Sequence, residues 1–86
     1  MKHRVLVVDD EKGIREALRQ LLEYEEIEVR TCASGADAVQ AYPEFRPHLV
    51  FLDVKMQGRD GLATIRDLRA LDPQAQVVMI SGYGII

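Results

Sequence analysis

Two short apolar runs that each end in an acid constrain the fold of this chain more than any other feature. Residues 5–8, Val-Leu-Val-Val, stop at Asp9 and Asp10, and residues 49–52, Leu-Val-Phe-Leu, stop at Asp53. An unbroken run of β-branched and aliphatic residues is typical of a strand buried on both faces of a parallel sheet. The repetition therefore predicts two inner strands whose carboxyl ends carry acids.

Stretches with helical periodicity separate these strands. Residues 14–22 carry apolar side chains at i, i+3, i+4, i+7 and i+8, with polar residues such as Arg15 on the other side, which predicts an amphipathic helix. Ser34 and Asp37 have the spacing of a capping box and predict a second helix that ends before Pro47. A third helix is predicted after residue 60, where Asp60 is the expected cap. The predicted apolar stripes are Ile14, Ala17, Leu18, Leu21 and Leu22; Ala38, Ala41, Tyr42 and Phe45; and Leu62, Ile65, Leu68 and Leu71.

Two further strands complete the pattern. Residues 27–32 alternate in polarity, which predicts a half-exposed edge strand with Cys32 on the polar side. Residues 77–80, Val-Val-Met-Ile, predict another buried strand, which ends at Ser81. The alternation of strands and helices predicts a single α/β domain over residues 1–86, with an open parallel sheet and right-handed crossovers.

Composition narrows the classes of function. The chain has 86 residues and a net charge of -3, so it offers no overall electrostatic attraction to nucleic acid or anionic membranes. Its longest apolar runs are far shorter than the roughly 20 residues of a membrane span. Its single cysteine, Cys32, has no partner for an internal disulfide. We therefore expect a cytoplasmic protein without direct nucleic-acid binding or membrane association.

The acids at the strand ends predict a metal site. In an open parallel sheet the ligand crevice lies at the carboxyl ends of the strands. If the first and third strands are neighbours, Asp9, Asp10 and Asp53 converge, and their mutual repulsion favours a cation. Carboxylates are hard oxygen ligands that suit Mg²⁺. Taken one at a time, each acid is also compatible with a helix cap or a loop.

These motifs resemble the phosphoacceptor receiver domains of bacterial two-component response regulators. Residues 5–11 are similar to the family's first strand and acidic pair, and residues 49–56 to its third strand and acceptor aspartate. Residues 77–82 are similar to its fourth strand and terminal hydroxyl residue. The Ser-Gly-Tyr-Gly sequence at residues 81–84 particularly resembles receivers attached to transcriptional activators of the nitrogen-regulator type. The resemblance covers essentially the whole chain and implies a flavodoxin-like (CheY-like) parallel sheet with strand order 2-1-3-4.

The resemblance also implies a role for individual residues. Asp53 would accept a phosphoryl group from a sensor histidine kinase. Asp10 would bind Mg²⁺ directly, Asp9 directly or through water, and Lys55 through its backbone carbonyl. The Ser81 hydroxyl would hydrogen-bond a phosphoryl oxygen. The implied function is a switch of transcriptional output, not an enzyme that turns over a separate substrate.

The sequence departs from the family pattern in two ways. Gln57 stands where the family usually has proline. Lys55 and Tyr83 occupy positions that, in this family, tune how long the phosphoryl group lasts. The family has five strands and five helices, whereas the residues here match four strands and three helices, and no lysine follows Lys55. We therefore expect an incomplete sheet without the fifth strand and last two helices, and slow transfer to Asp53.

An incomplete sheet predicts self-association. The fourth strand would be an apolar edge, and part of the sheet face beside the first helix would be uncovered. Burial of ~400 Å² of apolar area is worth about 10 kcal/mol before the costs of association. We expect a homodimer or higher oligomer that covers these surfaces.

Two alternatives to the phosphoacceptor hypothesis follow from other classes of protein. The first is a receiver fragment that no longer signals and acts only as an oligomerising structural module, which the absent lysine favours. The second is a Mg²⁺-dependent phosphatase or phosphotransferase of the haloacid-dehalogenase type, which uses aspartyl chemistry on small substrates. Such enzymes have two aspartates separated by one residue after the first strand, whereas Asp9 and Asp10 are adjacent.

Overall fold

The computed structural model describes residues 2–55, 61–81 and 84–85, the last three of these (81, 84 and 85) through their backbone alone. Its elements alternate in the predicted order and end with one additional short strand. They are β1 (Arg4–Val8), α1 (Lys12–Tyr24), β2 (Glu28–Cys32), α2 (Gly35–Phe45), β3 (Leu49–Asp53), α3 (Gly61–Leu71), β4 (Val77–Ser81) and β5 (Gly84–Ile85).

The strands form one sheet in the order β2-β1-β3-β4-β5. The pairs β1–β2, β1–β3 and β3–β4 are parallel, which confirms the predicted order 2-1-3-4. β1 lies between two neighbours and carries helices on both sides, so residues 5–8 are all buried. The continuous apolar run of β1 is therefore explained by its place inside the sheet.

β5 corrects the expectation that β4 is a bare edge. It pairs antiparallel with the end of β4, with Ile80 opposite Ile85 and Ser81 opposite Gly84. Residues 77–80 are half-buried, whereas the sequence predicts that they are fully buried. Among the described residues, β5 pairs with the last two residues of β4, so β4 is a partly covered strand.

The main core lies between the sheet and helices α2 and α3. Cys32 belongs to it and is 8% exposed, whereas the alternating pattern of β2 predicts a position on its polar side. It shares a strand face with Arg30, whose guanidinium lies 4.8 Å above the Phe45 ring of α2. That face of β2 is polar at its start and covered by α2 at its end. The buried core residues are Leu6, Val8, Cys32, Ala38, Tyr42, Phe45, Val50, Leu52, Leu68 and Ala75.

α3 uses a different face from the one predicted. Gly61, Thr64 and Leu68 are buried, whereas Leu62 is 62% exposed and Leu71 is 49% exposed. A strict i, i+3 series drifts by about 60° per step, so its first and fourth members lie on opposite sides of a helix. The predicted stripe therefore faces the core only at its middle.

α1 packs on β1 and β2, but none of its residues is buried, and Ile14, Ala17 and Leu21 of the predicted apolar stripe are exposed. Leu18 and Leu22 are half-buried, whereas Ile14 is 41%, Leu21 63% and Tyr24 84% exposed. This second face of the sheet is less densely covered than the face beneath α2 and α3.

Specific hydrogen bonds define both ends of α2. The predicted cap is confirmed, because the Ser34 hydroxyl accepts from the amide of Asp37 at 3.1 Å. Arg46 follows the last residue of the helix and has a left-handed backbone with φ 53°. Arg4 Nε donates to the carbonyls of Phe45 and Arg46 at 3.0 and 2.9 Å. The start of β1 thereby satisfies carbonyls that the end of α2 leaves without helical partners.

A hydrogen bond between Tyr42 and Asp72 joins α2 to the turn after α3. The Tyr42 hydroxyl donates to Asp72 Oδ2 at 2.9 Å, and the residue is 6% exposed. Burial, followed by this hydrogen bond and the charge of Asp72, raises the pKa of Tyr42 to about 12. Because the pKa is raised from 10.0, the neutral Tyr42 hydroxyl contributes its full stabilisation of the folded state below pH 10. This contribution is lost as the pH rises toward 12.

We expect Tyr42→Phe to lower the free energy of unfolding at pH 7 by about 1 kcal/mol, because the substitution removes one buried hydrogen bond without changing the ring. Tyr24→Phe, at a residue that is 84% exposed, is the matched control and should change it by less than about 0.5 kcal/mol. Urea unfolding measures both variants. Equal effects in the two would contradict a stabilising bond between Tyr42 and Asp72.

Candidate metal centre

Three carboxylates meet at the carboxyl edge of the sheet. Asp9 and Asp10 follow β1, and Asp53 is the last residue of β3. Because Val8 pairs with Leu52 in parallel register, the two strands end side by side. One carboxylate oxygen from each acid lies within 4.8 Å of the others. The structure thus brings together the three acids for which the sequence predicts convergence.

The loops after β1 and β3 hold their acids in the same way. Asp9 Oδ1 accepts a hydrogen bond from the amide of Glu11 at 2.9 Å. Asp53 Oδ1 accepts one from the amide of Lys55 at 3.1 Å. An aspartate that bonds the amide two residues later forms a local turn. Each loop therefore fixes its carboxylate through its own backbone.

Asp9 is anchored on two further sides. Its amide donates to the carbonyl of Cys32 at 3.1 Å, which ties it to the end of β2. Its carbonyl accepts from Arg15 Nη1 of α1 at 2.8 Å. The residue is 4% exposed, whereas Asp10 and Asp53 are half-buried. Asp9 is thus the most buried of the three acids, and hydrogen bonds hold its backbone and its side chain in place.

Sequence reasoning missed the contribution of Arg15. The helical pattern places Arg15 on the polar side of α1 and gives it no other role. A signal does exist, because a basic residue one turn into a helix that follows a strand-end acid can reach back to that loop. Spacing alone does not show whether the side chain turns toward the loop or toward water.

The electrostatics of the site favour a bound cation. Burial raises the pKa of the Asp9 carboxyl above 3.8, and the charges of Asp53, Asp10 and Glu11 raise it further, while the amide of Glu11 acts against them. Burial and like charges both disfavour the ionised form. A divalent cation would offset this repulsion, and three carboxylates are ligands that Mg²⁺ accepts. The residues present therefore fit a magnesium ion.

Of the remaining predicted site residues, Lys55 is near this cluster along the chain and Ser81 is near it across the sheet. Lys55 follows Asp53 by two positions and has an exposed side chain. Ser81 ends β4, one position beyond Ile80, whose backbone partner in β3 is Asp53. The amide of Val54 also donates to the carbonyl of Ile80 at 3.0 Å. The side chain of Ser81 lies outside the described part, as do residues Gln57, Asp60 and Tyr83.

A partly open cavity of about 590 Å³ lies elsewhere in the molecule, near the starts of β3 and β4 and at the opposite end of the sheet from the carboxylates. It contains no cluster of acids, and among the described residues the three aspartates are the one group of three or more potential metal ligands. We therefore place the candidate site at the carboxylates. The cavity is lined by Tyr42, Pro43, Arg46, Pro47, Leu71 and Asp72.

Within residues 2–55, 61–81 and 84–85, no helix has the length and apolar character needed to cross a bilayer.

Comparison with known proteins identifies the family. Residues 5–85 match the family model described as the response regulator receiver domain. The chain is 36% identical over 85 residues to the chemotaxis protein CheY of Bacillus subtilis, covering 98% of this chain and 71% of that protein. It is 39% identical over 88 residues to the nitrogen assimilation regulatory protein NtrX of Azorhizobium caulinodans. This match covers the whole of this chain and 19% of NtrX.

Solved structures agree with the sequence comparison. The response regulator TrrA from Thermotoga maritima, in complex with Mg²⁺ and BeF, superimposes with a TM-score of 0.88 at 36% identity, over 96% of this chain and 71% of TrrA. TrrA in complex with the histidine kinase ThkA gives 0.87 at 36% identity, over 98% and 72%.

Response regulator receiver domains are signalling switches that a histidine kinase phosphorylates on an aspartate, and they bind Mg²⁺ at an acidic pocket. The match over residues 5–85, the shared fold and the meeting of Asp9, Asp10 and Asp53 at one sheet edge all agree. This chain belongs to the response regulator receiver domain family.

Proposed function

We propose that this chain is a phosphoacceptor in a two-component system and that Asp53 receives the phosphoryl group from a sensor histidine kinase. The observation that carries the proposal is the meeting of Asp53 with Asp9 and Asp10 within 4.8 Å at the end of adjacent parallel strands. Asp53 is half-buried, so its carboxylate is both held by the fold and open to a donor.

The metal ligands in this proposal come from both strand ends. Asp10 and Asp53 bind Mg²⁺ directly, Asp9 binds it directly or through water, and Lys55 contributes its backbone carbonyl. Bound Mg²⁺ supplies positive charge that neutralises and aligns the transferring phosphoryl group. The turn from Asp53 Oδ1 to the amide of Lys55 supports this role, because it sets the backbone of Lys55 beside the carboxylate.

The transfer itself is a displacement at phosphorus. An oxygen of the Asp53 carboxylate forms a bond to phosphorus, while the bond between phosphorus and the imidazole nitrogen of the kinase breaks. The imidazole keeps the electron pair of that bond and takes a proton from solvent. The product on Asp53 is an acyl phosphate, and no separate substrate is turned over.

The pairing of β3 with β4 supports a route from phosphorylation to a change of shape. Ser81 stands one residue beyond the partner of Asp53 in β4. We assign its hydroxyl a hydrogen bond to a phosphoryl oxygen, which draws the end of β4 toward the new charge. Lys55 and Tyr83 would tune the lifetime of the acyl phosphate from the two neighbouring loops.

In this proposal the chain acts in the cytoplasm and its output is a change in transcription. A relative that is 39% identical, NtrX, is a nitrogen assimilation regulatory protein in which the matched part is 19% of the whole. The net charge of -3 supports a signalling role without direct contact to nucleic acid or membranes.

A second candidate function is an oligomerising module, favoured by the apolar side chains on the surface of α1. Leu21 and Tyr24 are 63% and 84% exposed, and Ile14 is 41% exposed on the same helix. We propose a second copy of this chain as the partner, which would cover α1, the adjacent sheet face and the outer edge of β4. This association is compatible with phosphorylation of Asp53. It becomes the function of the chain only if Asp53 does not accept a phosphoryl group.

The phosphoacceptor proposal predicts a single covalent adduct. After incubation with Mg²⁺ and acetyl phosphate, intact-mass spectrometry should show one phosphoryl group on the parent protein, removed by base or hydroxylamine. Asp53→Ala should show none, whereas Asp37→Ala, at an exposed aspartate of α2, should be phosphorylated like the parent. A folded parent without an adduct would contradict the proposal and favour the oligomerising module.

The metal proposal predicts that Asp9→Asn stabilises the protein in the absence of Mg²⁺ and reduces the stabilisation that Mg²⁺ provides. In EDTA at pH 7, the variant should raise the free energy of unfolding by about 1 kcal/mol, because it removes a like charge and retains the oxygen that accepts from Glu11. The raised pKa of Asp9 means that this gain grows as the pH rises above 3.8.

Addition of Mg²⁺ should stabilise the parent protein and stabilise Asp9→Asn less, since binding to the folded state alone shifts unfolding by mass action. Glu44→Gln, whose side chain is 81% exposed, is the control and should behave like the parent. Urea unfolding in EDTA and in millimolar Mg²⁺ measures all three. A destabilised Asp9→Asn variant in EDTA would contradict the repulsion on which the metal proposal depends.

The oligomer proposal predicts that Leu21→Glu shifts the protein toward monomer, because it places a charge in the proposed apolar interface. Gln20→Glu, at the exposed neighbouring residue, should leave the oligomer intact. Light scattering after size exclusion at micromolar concentration gives the mass of each. A monodisperse monomer of the parent protein would contradict this proposal.

A further inference from the structure

Arg15 joins α1 to the loop that carries two of the three acids. The residue lies in the first turn of α1 and is half-buried. Its Nη1 donates to the backbone carbonyl of Asp9 at 2.8 Å, across six residues of sequence. Its own amide donates to the carbonyl of Glu11 at 3.1 Å, as part of the helix start. A single residue therefore contacts the acidic loop through both its side chain and its backbone.

We infer that Arg15 is a positioning residue for the metal centre: its guanidinium fixes the peptide plane between Asp9 and Asp10, so that both carboxylates face the ion. This inference rests on the proposed Mg²⁺ site.

The planarity of the peptide bond carries the effect from Asp9 to Asp10. The carbonyl of Asp9 and the amide of Asp10 belong to one rigid plane. A hydrogen bond to that carbonyl therefore also fixes the direction in which the chain enters Asp10. Two other hydrogen bonds hold Asp9: its amide donates to the carbonyl of Cys32, and its carboxylate accepts from the amide of Glu11. The hydrogen bond from Arg15 holds the remaining backbone group of Asp9, its carbonyl.

The bond is directed at a carbonyl and not at a carboxylate. As a counter-ion, Arg15 would compete with Mg²⁺ for the acids, and its removal would strengthen metal binding. As a positioning residue it holds ligands in place, and its removal would weaken metal binding. Groups that orient metal ligands commonly contribute at least tenfold to affinity. The two roles thus predict opposite signs for the same substitution.

Arg19 provides a matched control on the same helix. It lies one turn after Arg15, is also half-buried, and donates from Nη2 to the Thr31 hydroxyl of β2 at 3.0 Å. It ties α1 to the sheet without a bond to Asp9. Loss of either arginine removes a side chain that anchors α1, but only loss of Arg15 removes the bond to the acidic loop.

The experiment is a calorimetric Mg²⁺ titration of the parent, Arg15→Met, Arg15→Lys and Arg19→Met proteins. We expect Arg15→Met to raise the Kd about tenfold and Arg19→Met to leave it within about twofold of the parent. Arg15→Lys, which retains a charged donor, should recover part of the affinity. If Arg15→Met does not fold, Arg15→Gln takes its place as the neutral variant.

A second measurement needs no metal. In amide NMR spectra recorded in EDTA, Arg15→Met should shift the resonances of Asp10 and Glu11, whereas Arg19→Met should leave both at their parental positions. Unchanged resonances, or a Kd that is equal to or lower than that of the parent, would overturn the positioning role. An equal loss of affinity in Arg19→Met would also overturn it. Absence of Mg²⁺ binding in the parent would overturn the proposed metal site, while the EDTA spectra would still decide the role of Arg15.

Discussion

The parallel pairing of β1 with β3 is the interaction on which the rest of this structure depends. Its register places Val8 opposite Leu52, so both strands end at the same level and deliver their acids to one point. Leu6, Val8, Val50 and Leu52 in these two strands are nearly inaccessible to water, and their burial stabilises the pairing. The same pairing brings three carboxylates together. Their mutual repulsion disfavours this arrangement, and the burial of the apolar strands outweighs it.

Much of this arrangement can be predicted from the sequence because it depends on short-range patterns. Continuous apolar runs mark the inner strands, and the serine of α2 marks its start, as the bond from Asp37 to Ser34 confirms. The meeting of the acids follows once β1 and β3 are neighbours. That adjacency cannot be derived from periodicity, and the resemblance to a known family provided the strand order.

The remaining features depend on tertiary contacts. Cys32 is buried because α2 covers the end of β2, and no local pattern indicates which end a helix covers. Leu62 and Leu71 are exposed because the core contacts only the middle of their stripe. Arg15 looks like any polar residue of an amphipathic helix until its bond to Asp9 is seen. Sequence patterns assign residues to elements more readily than they assign side chains to partners.

The two faces of the sheet are stabilised in different ways, and this difference concerns the site. α2 and α3 are held by buried apolar side chains, whereas α1 has no buried residue and is held by the half-buried Leu18 and Leu22 together with hydrogen bonds from Arg15 and Arg19. Polar bonds are directional and give little energy each, whereas apolar burial is strong and tolerant of small shifts. The position of α1 is therefore coupled to the geometry of the acidic loop more closely than that of α2 or α3.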